Sequence, residues 1–299
     1  LDANQRKKVT DVPVPIASNA CAVVVLFHPD KYFGLRLQAI RLQFSFIVLV
    51  DNTPGGAALF DMPPSVRVLR NGCNLGIAKA LNQGVDLAIA LGCEWVATFD
   101  QDSDLFPGYL ANVLAISRRY VPRPVLIGCN YLRDGAVAPV HAAPAGITDA
   151  WSRPTLITSG TFMPARFARE IGGFRDDYFI DSVDHEFCLR ARSYGAVVLM
   201  TVDPFMRHRM GIKGVGLFGF LCSMQHSPTR RYYMARNTLL TIRAYGVRHP
   251  LWTLRHIRRL LGEGVAIAFF ESDKSSKFRA FARGLWHGLI GRSGPFEDS

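Results

Sequence analysis

The chain has 299 residues, 49% of them hydrophobic, which is enough for one large domain or a domain with an appendage. That composition excludes a disordered, collagenous or coiled-coil protein. The net charge of +11 is carried by residues 206–299, with 16 Lys+Arg against 5 Asp+Glu, whereas residues 1–205 hold 19 of each.

The six cysteines (Cys21, Cys73, Cys93, Cys129, Cys188, Cys222) have no CxxC spacing. They read as reduced core thiols of a cytosolic protein, which argues against a disulfide framework or a zinc site. No run reaches the ~18–20 apolar residues of a membrane span. The polar start, Leu1 to Lys8, does not read as a signal peptide. A basic last third seeks a polyanion, such as phospholipid headgroups, a lipid diphosphate or nucleic acid, or else it is a solvated face. It carries no helix-turn-helix, zinc-finger or RNP signature, so a nucleic-acid-binding protein is the remote reading and no nucleic-acid partner is expected.

Taken along the chain, Cys21–Phe27 (CAVVVLF) reads as a buried parallel strand ending at His28-Pro29-Asp30. Phe46–Val50 is a second strand, ending at Asp51-Asn52, and Val66–Leu69 a short third, ending at Arg70-Asn71. Leu75, Ala78, Leu81, Val85 and Ala88 mark a helix over 74–91, with Asn74 as its N-cap. Trp95–Phe99 is a fourth strand and ends in Asp100-Gln101-Asp102-Ser103. A helix follows Pro107, then a strand at Val125–Cys129. Residues 133–153 read as loops. A helix over 184–194 and a strand over 196–201 come next, then helices over 230–245, 251–270 and roughly 277–290. The alternation predicts an α/β sheet of mostly parallel strands. Ligands of such sheets bind beyond the carboxyl ends of the strands, so Asp51, Asn52, Asn71, Asn74, Asp100 and Asp102 share one rim.

Asp100 and Asp102 flank a single residue. Carboxylates this close repel unless a cation lies between them, and oxygen ligands suit magnesium or manganese. The alternative is a solvent-exposed acidic turn. Asp181, Asp184 and Glu186 form a second cluster. Asp184 opens a helix, whose N-terminus favours the anion that a general base requires. Capping plus a Glu186–Arg190 pair would account for the same spacing.

Read together, VVVLFHPD, VLVDNTPGG, RNGCNLGIAKALNQG, ATFDQDS, FIDSVDHEFCLRA and MRHRMG resemble glycosyltransferase family 2, most of all its rhamnosyltransferase branch. The match runs from about Ala22 to Gly211 and extends to RRYYMARN at 230–237. The resemblance implies a GT-A (Rossmann-like nucleotide-diphospho-sugar transferase) fold with a C-terminal helical, basic appendage. The implied parts are an extension over 1–20, a catalytic domain over 21–211 (donor half 21–130, acceptor half 131–211), and a membrane-associating or oligomerising region over 212–299.

It also implies a metal-dependent, inverting transfer of a sugar, with L-rhamnose from dTDP-L-rhamnose as the expected donor and UDP-galactofuranose or UDP-N-acetylglucosamine as alternatives. The expected acceptor is a saccharide, lipid-linked through polyprenyl diphosphate, in O-antigen or capsule synthesis. The resemblance makes Asp102, Asp100 and His208 the metal ligands, with magnesium or manganese as the cofactor. Asp184 becomes the base, with Asp181 and Glu186 as possible helpers because relatives carry Glu-Asp where this chain has Val183-Asp184. The donor would meet His28, Asp51, Asn52, Asn74, Gly76, Lys79, Asn82, Asp100, Arg230 and Arg231. Thr158, Ser159 and Gly160 would line the acceptor side. The expected location is cytoplasmic, peripheral on the anionic inner membrane face. Arg255, Arg258 and Arg259 alternate there with Trp252, Leu254, Ile257 and Leu260, and a homo-oligomer interface is the other use of the same face.

Overall fold

The computed structural model describes residues 12–59, 62–208 and 225–296. The chain divides into two compact units, Leu1–Phe174 with Phe187–Arg209, and Arg175–Glu186 with Met210–Ser299. Residues 175–186 therefore belong with the C-terminal helices, where the sequence reading put the boundary at 211.

The first unit is built on a nine-stranded sheet of order β3-β2-β1-β4-β8-β6-β9-β5, with β7 also paired to β9. Its strands are β1 (Ala20–Leu26), β2 (Phe46–Asp51), β3 (Val66–Arg70), β4 (Trp95–Asp100), β5 (Ser103–Leu105), β6 (Val125–Leu132), β7 (Ala150–Ser152), β8 (Thr161–Pro164) and β9 (Val197–His208). β1, β2, β3 and β4 run parallel, as do β6 and β9, while β5, β7 and β8 are antiparallel to their neighbours. β1 is buried along its whole length. Ala22, Val24 and Leu26 share a core with Phe33, Leu37 and Ile40 of α1 (Phe33–Arg41). On the other face α2 (Ile77–Ala90) packs so closely that a Cβ on Gly84 would strike Val23. Burial on both faces is why the strand reads as an unbroken apolar run. α3 (Tyr109–Arg118) and α4 (Ala165–Glu170) complete the unit, with the later turns of α5 (Val183–Ser193).

Three differences from the sequence reading matter for the site. α2 begins at Ile77 with Gly76 at its cap in a left-handed backbone (φ 84°), and Asn74 instead accepts the Gly76 amide in a local turn. β9 continues to His208 because β5, a three-residue strand with no pattern of its own, pairs with its end. α1 and β8 carry no assignment in the sequence reading.

The second unit holds α6 (Pro228–Tyr245), α7 (Pro250–Phe270) and α8 (Lys274–Ile290), together with residues 175–186. Gly284 and Gly288 let α8 touch the α6 backbone: a Cβ at Gly288 would lie 2.9 Å from the Arg236 carbonyl. Ala235, Leu260, Ile267 and Phe281 form the core between the helices. Arg231 is 1% exposed and ion-pairs with Glu263 and Glu271, while Lys277 reaches Glu271 at 3.1 Å.

Candidate active site

β1, β2 and β4 end in register, Leu26 beside Asp51 and Val25 beside Asp100, which sets their polar ends on one rim. The antiparallel pairing of Ser103 with His208 then carries the imidazole back to the acidic loop. Ligand atoms of Asp100, Asp102 and His208 all lie within 4.8 Å of one another. His208 Nε2 is 4.0 Å from Asp100 Oδ2, and its Nδ1 is 4.0 Å from Asp102 Oδ1. All three side chains are partly exposed, at 34%, 40% and 16%. Two carboxylates and an imidazole, open on one side and 4.0 Å apart, fit a divalent cation that keeps positions for substrate oxygens.

Buried hydroxyls brace this group. Ser103 Oγ lies 3.1 Å from His208 Nδ1 and 2.7 Å from Ser159 Oγ, and Ser159 Oγ accepts the Asp100 amide at 3.1 Å. With Nδ1 committed to Ser103, Nε2 is the nitrogen left for an ion. Gln101, between the two acids, donates to and accepts from the Phe27 backbone and so pins the loop to the end of β1. Arg36, 4% exposed, pairs with Asp30 and Asp104 and donates to the Gln101 carbonyl. Ser103, Gln101 and Arg36 escaped the sequence reading. A paired polar residue on an otherwise apolar strand or helix was the available signal.

The expected donor residues fall into two groups. His28 and Lys79 are exposed at the rim, with His28 in a left-handed backbone (φ 50°) and its amide donated to Thr53 Oγ1. Asp51, Asn52, Asn74, Gly76 and Asn82 instead build the rim. Asp51 is 0% exposed and accepts the amides of Thr53 and Ala57, so its carboxylate shapes the loop after β2 and has no surface for a base. Asn52 donates to the Gly76 carbonyl and accepts from Asn71. Asn82 clasps the Phe174 backbone through both amide atoms. On the acceptor side, Thr158 is partly exposed. Ser159 and Gly160 are buried, so Ser159 serves the metal group and Gly160 (φ 74°) packs against Cys129 and Met206.

The second acidic cluster lies in the second unit. Asp184 sits in the first turn of α5 and accepts the His185 amide at 2.8 Å. Burial, with the Asp181 charge adding to it, pushes its carboxyl up to about 6. Asp181 is held bidentately by Arg230. Glu186 is 1% exposed and accepts the Tyr245 hydroxyl at 2.9 Å. Glu186 is thus a core acid and Asp181 an ion-paired one, while the Asp184 side chain is 23% exposed. Arg231, expected over the diphosphate, is inside the helical core, its guanidinium taken by Glu263 and Glu271. Arg230 is 44% exposed. Phe179, Asp181 and Ser182 all have left-handed backbones, each costing on the order of 1 kcal/mol or more, and the Asn237 amide holds this loop through the Tyr178, Ile180 and Asp181 carbonyls. The His208–Gly211 motif beyond His208 lies outside the described residues, as does the apolar run 214–222.

The chain is 33% identical over 242 residues to the dTDP-rhamnosyl transferase RfbF of Shigella flexneri, covering 76% of this chain and 80% of that protein. The chain belongs to glycosyltransferase family 2, in its rhamnosyltransferase-like branch. No family model matches it. Among solved structures, GalNAc-T7 with UDP, GalNAc and Mn2+ superposes with a TM-score of 0.52 at 15% identity, over 76% of this chain and 48% of that one. Staphylococcus aureus TarS 1–349 with UDP-GlcNAc gives a TM-score of 0.51 at 13% identity, over 91% and 73%. The chain spans about half the length of the GalNAc-T7 chain and 43% of a longer TarS chain. These two likenesses establish the GT-A fold. The chain is a glycosyltransferase, and its Asp100–Asp102–His208 group is of the kind a metal-dependent transferase uses.

Proposed function

We propose that this enzyme transfers L-rhamnose from dTDP-L-rhamnose to a saccharide acceptor with inversion. The observation that carries this reading is the convergence of Asp100, Asp102 and His208 at the sheet rim, in a chain whose relative is a dTDP-rhamnosyl transferase. These three residues would hold magnesium or manganese, which supplies Lewis-acid stabilisation of the charge that develops on the departing diphosphate. His28, Lys79 and the positive end of the α2 dipole favour the anionic donor. Asp184 takes the proton of the acceptor hydroxyl as that oxygen bonds to the anomeric carbon and the nucleoside diphosphate leaves. A carboxyl raised to about 6 is still ionised at neutral pH and is a stronger base than a solvated one. The His185 amide and the Arg259 charge limit the rise.

The acceptor is a polyprenyl-diphosphate-linked saccharide of a bacterial surface polysaccharide, met at the inner membrane face. No helix among the described residues is long and apolar enough to cross a membrane. α7 nevertheless exposes Leu251 (81%), Leu254 (58%), Leu261 (68%) and Phe269 (70%) along one stripe, with exposed Arg258 within it and exposed Arg255 and Arg259 along one side. Trp252 and Leu260, expected on that stripe, are buried at 4% and 9%. A basic helix with an exposed apolar stripe suits the headgroup region of an anionic bilayer.

The test of the donor is turnover with a panel of nucleotide sugars in the presence of manganese. dTDP-L-rhamnose should give the highest kcat/KM. A UDP-sugar that exceeds it would replace the donor while leaving the family intact, and full activity after EDTA treatment would remove the metal.

A further inference from the structure

Helix α7 has no assigned part in sugar transfer, yet two of its buried residues, Trp252 and His256, close on the first turn of α5. Their rings stack with centroids 3.9 Å apart. The His185 ring meets His256 edge-on at 4.9 Å and lies 5.9 Å from Trp252. The Trp252 indole N–H donates to His185 Nδ1 at 3.2 Å. An indole can only donate, so Nδ1 presents its lone pair there, and the neutral ring carries its proton on Nε2. That Nε2 is 4.0 Å from Asp184 Oδ1. His256 is fixed in turn: its Nδ1 is 2.8 Å from the Trp252 carbonyl, which can only accept.

We propose that α7 positions the general base: Trp252 and His256 lock His185 as the neutral Nε2–H tautomer beside Asp184. The inference rests on the reading of Asp184 as the base. With the lock in place, the carboxylate faces an uncharged N–H. An imidazolium at the same place would hold Asp184 as a weaker, lower-pKa base. The other charged groups facing Asp184 are Asp181 from the preceding loop, paired with Arg230 of α6, and Arg259 of α7. Glu186, one turn-step on, is bonded to Tyr245 of α6. Burial, reinforced by Arg259, pushes His185 down to about 4, in keeping with the geometry. His256 is also pushed to about 4, by burial and by His185.

The experiment is long-range 15N–1H correlation NMR of the histidine rings in the full chain, with His185→Gln assigning the resonance. Wild type should show His185 as the Nε2–H tautomer with no titration between pH 8 and pH 5. Trp252→Phe keeps the stack and removes the indole N–H. There the His185 midpoint should rise by about one pH unit, with donor KM unchanged. A proton on Nδ1 in wild type would overturn the proposal, and that measurement decides it even if Trp252→Phe fails to fold. So would a Trp252→Phe ring that titrates as in wild type. Full turnover by Asp184→Asn with the His185 tautomer intact would show that the base assignment has failed, and with it the catalytic role of the lock.

Discussion

Ser159→Ala tests the link between the buried core and the metal group. The Ser159 hydroxyl accepts the Asp100 amide at 3.1 Å and meets Ser103 at 2.7 Å, and Ser103 holds His208 Nδ1. Its removal deletes the bonds to the Asp100 amide, to Ser103 and, at 3.9 Å, to Met206 Sδ. At about 1 kcal/mol for the Ser103 bond and about 1–3 for the Asp100 amide stripped of its hydroxyl partner, the loss is roughly 2–4 kcal/mol. Tm should fall by roughly 5–10 °C in calorimetry. Ser103 is then free to turn away, so His208 loses its orientation. Manganese affinity should fall about 10–100-fold, the usual cost of losing a partner of a metal ligand. The assay is a manganese titration followed by EPR, which needs no turnover. Ser117→Ala is the control. Among the described residues its buried hydroxyl bonds within α3, to the Val113 carbonyl, so it should lower Tm by a few degrees and leave the metal alone. A Ser159→Ala protein that melts early yet binds manganese as wild type does would refute the hydroxyl chain as the brace of His208.

Three further outcomes are expected. Because Asp184 must be ionised to accept a proton and its carboxyl is raised to about 6, kcat/KM should fall about tenfold per pH unit below that point. A raised carboxyl binds its proton more readily in the folded state, so this group adds stability as pH falls from 6 toward 3.8 and does not cause unfolding there. A limb near pH 4 in the pH–rate profile would exclude Asp184. Arg231→Ala takes the buried guanidinium from Glu263 and Glu271, leaving them Arg259 and Lys277, and should cost about 3–5 kcal/mol, seen as a lower Tm. An unchanged Tm with a raised donor KM would instead place Arg231 at the diphosphate. Vesicles of phosphatidylglycerol should bind the protein at low salt, three arginines contributing ~3 kcal/mol, and release it at high salt. Leu251, Leu254 and Leu261 changed together to Ser should abolish binding without loss of Tm, since all three are exposed. If wild type fails to bind and the triple variant alters the oligomeric state, the stripe is a contact between copies.

By itself the sequence determined the parallel half of the sheet and the identity of the acids. β1, β2 and β4 are buried on both faces, so their apolar runs were unmistakable, and their polar ends follow from the rule that such sheets bind at the carboxyl edge. The later helices were legible by their length. What the sequence could not give is which polar residues face a ligand. Asp51, Asn82, Ser159, Glu186 and Arg231 have the chemistry of a site, but the fold turns each inward to satisfy a backbone amide, a neighbouring carboxylate or a hydroxyl. Only tertiary structure brings His208 to Asp102, because β5 is too short to carry a period and its pairing with β9 is set by the strands around it. Nor could periodicity split α7 into the face that holds Trp252 and His256 against His185 and the face that leaves Leu254 and Leu261 bare. Both faces are apolar, and only packing distinguishes a buried residue from an exposed one.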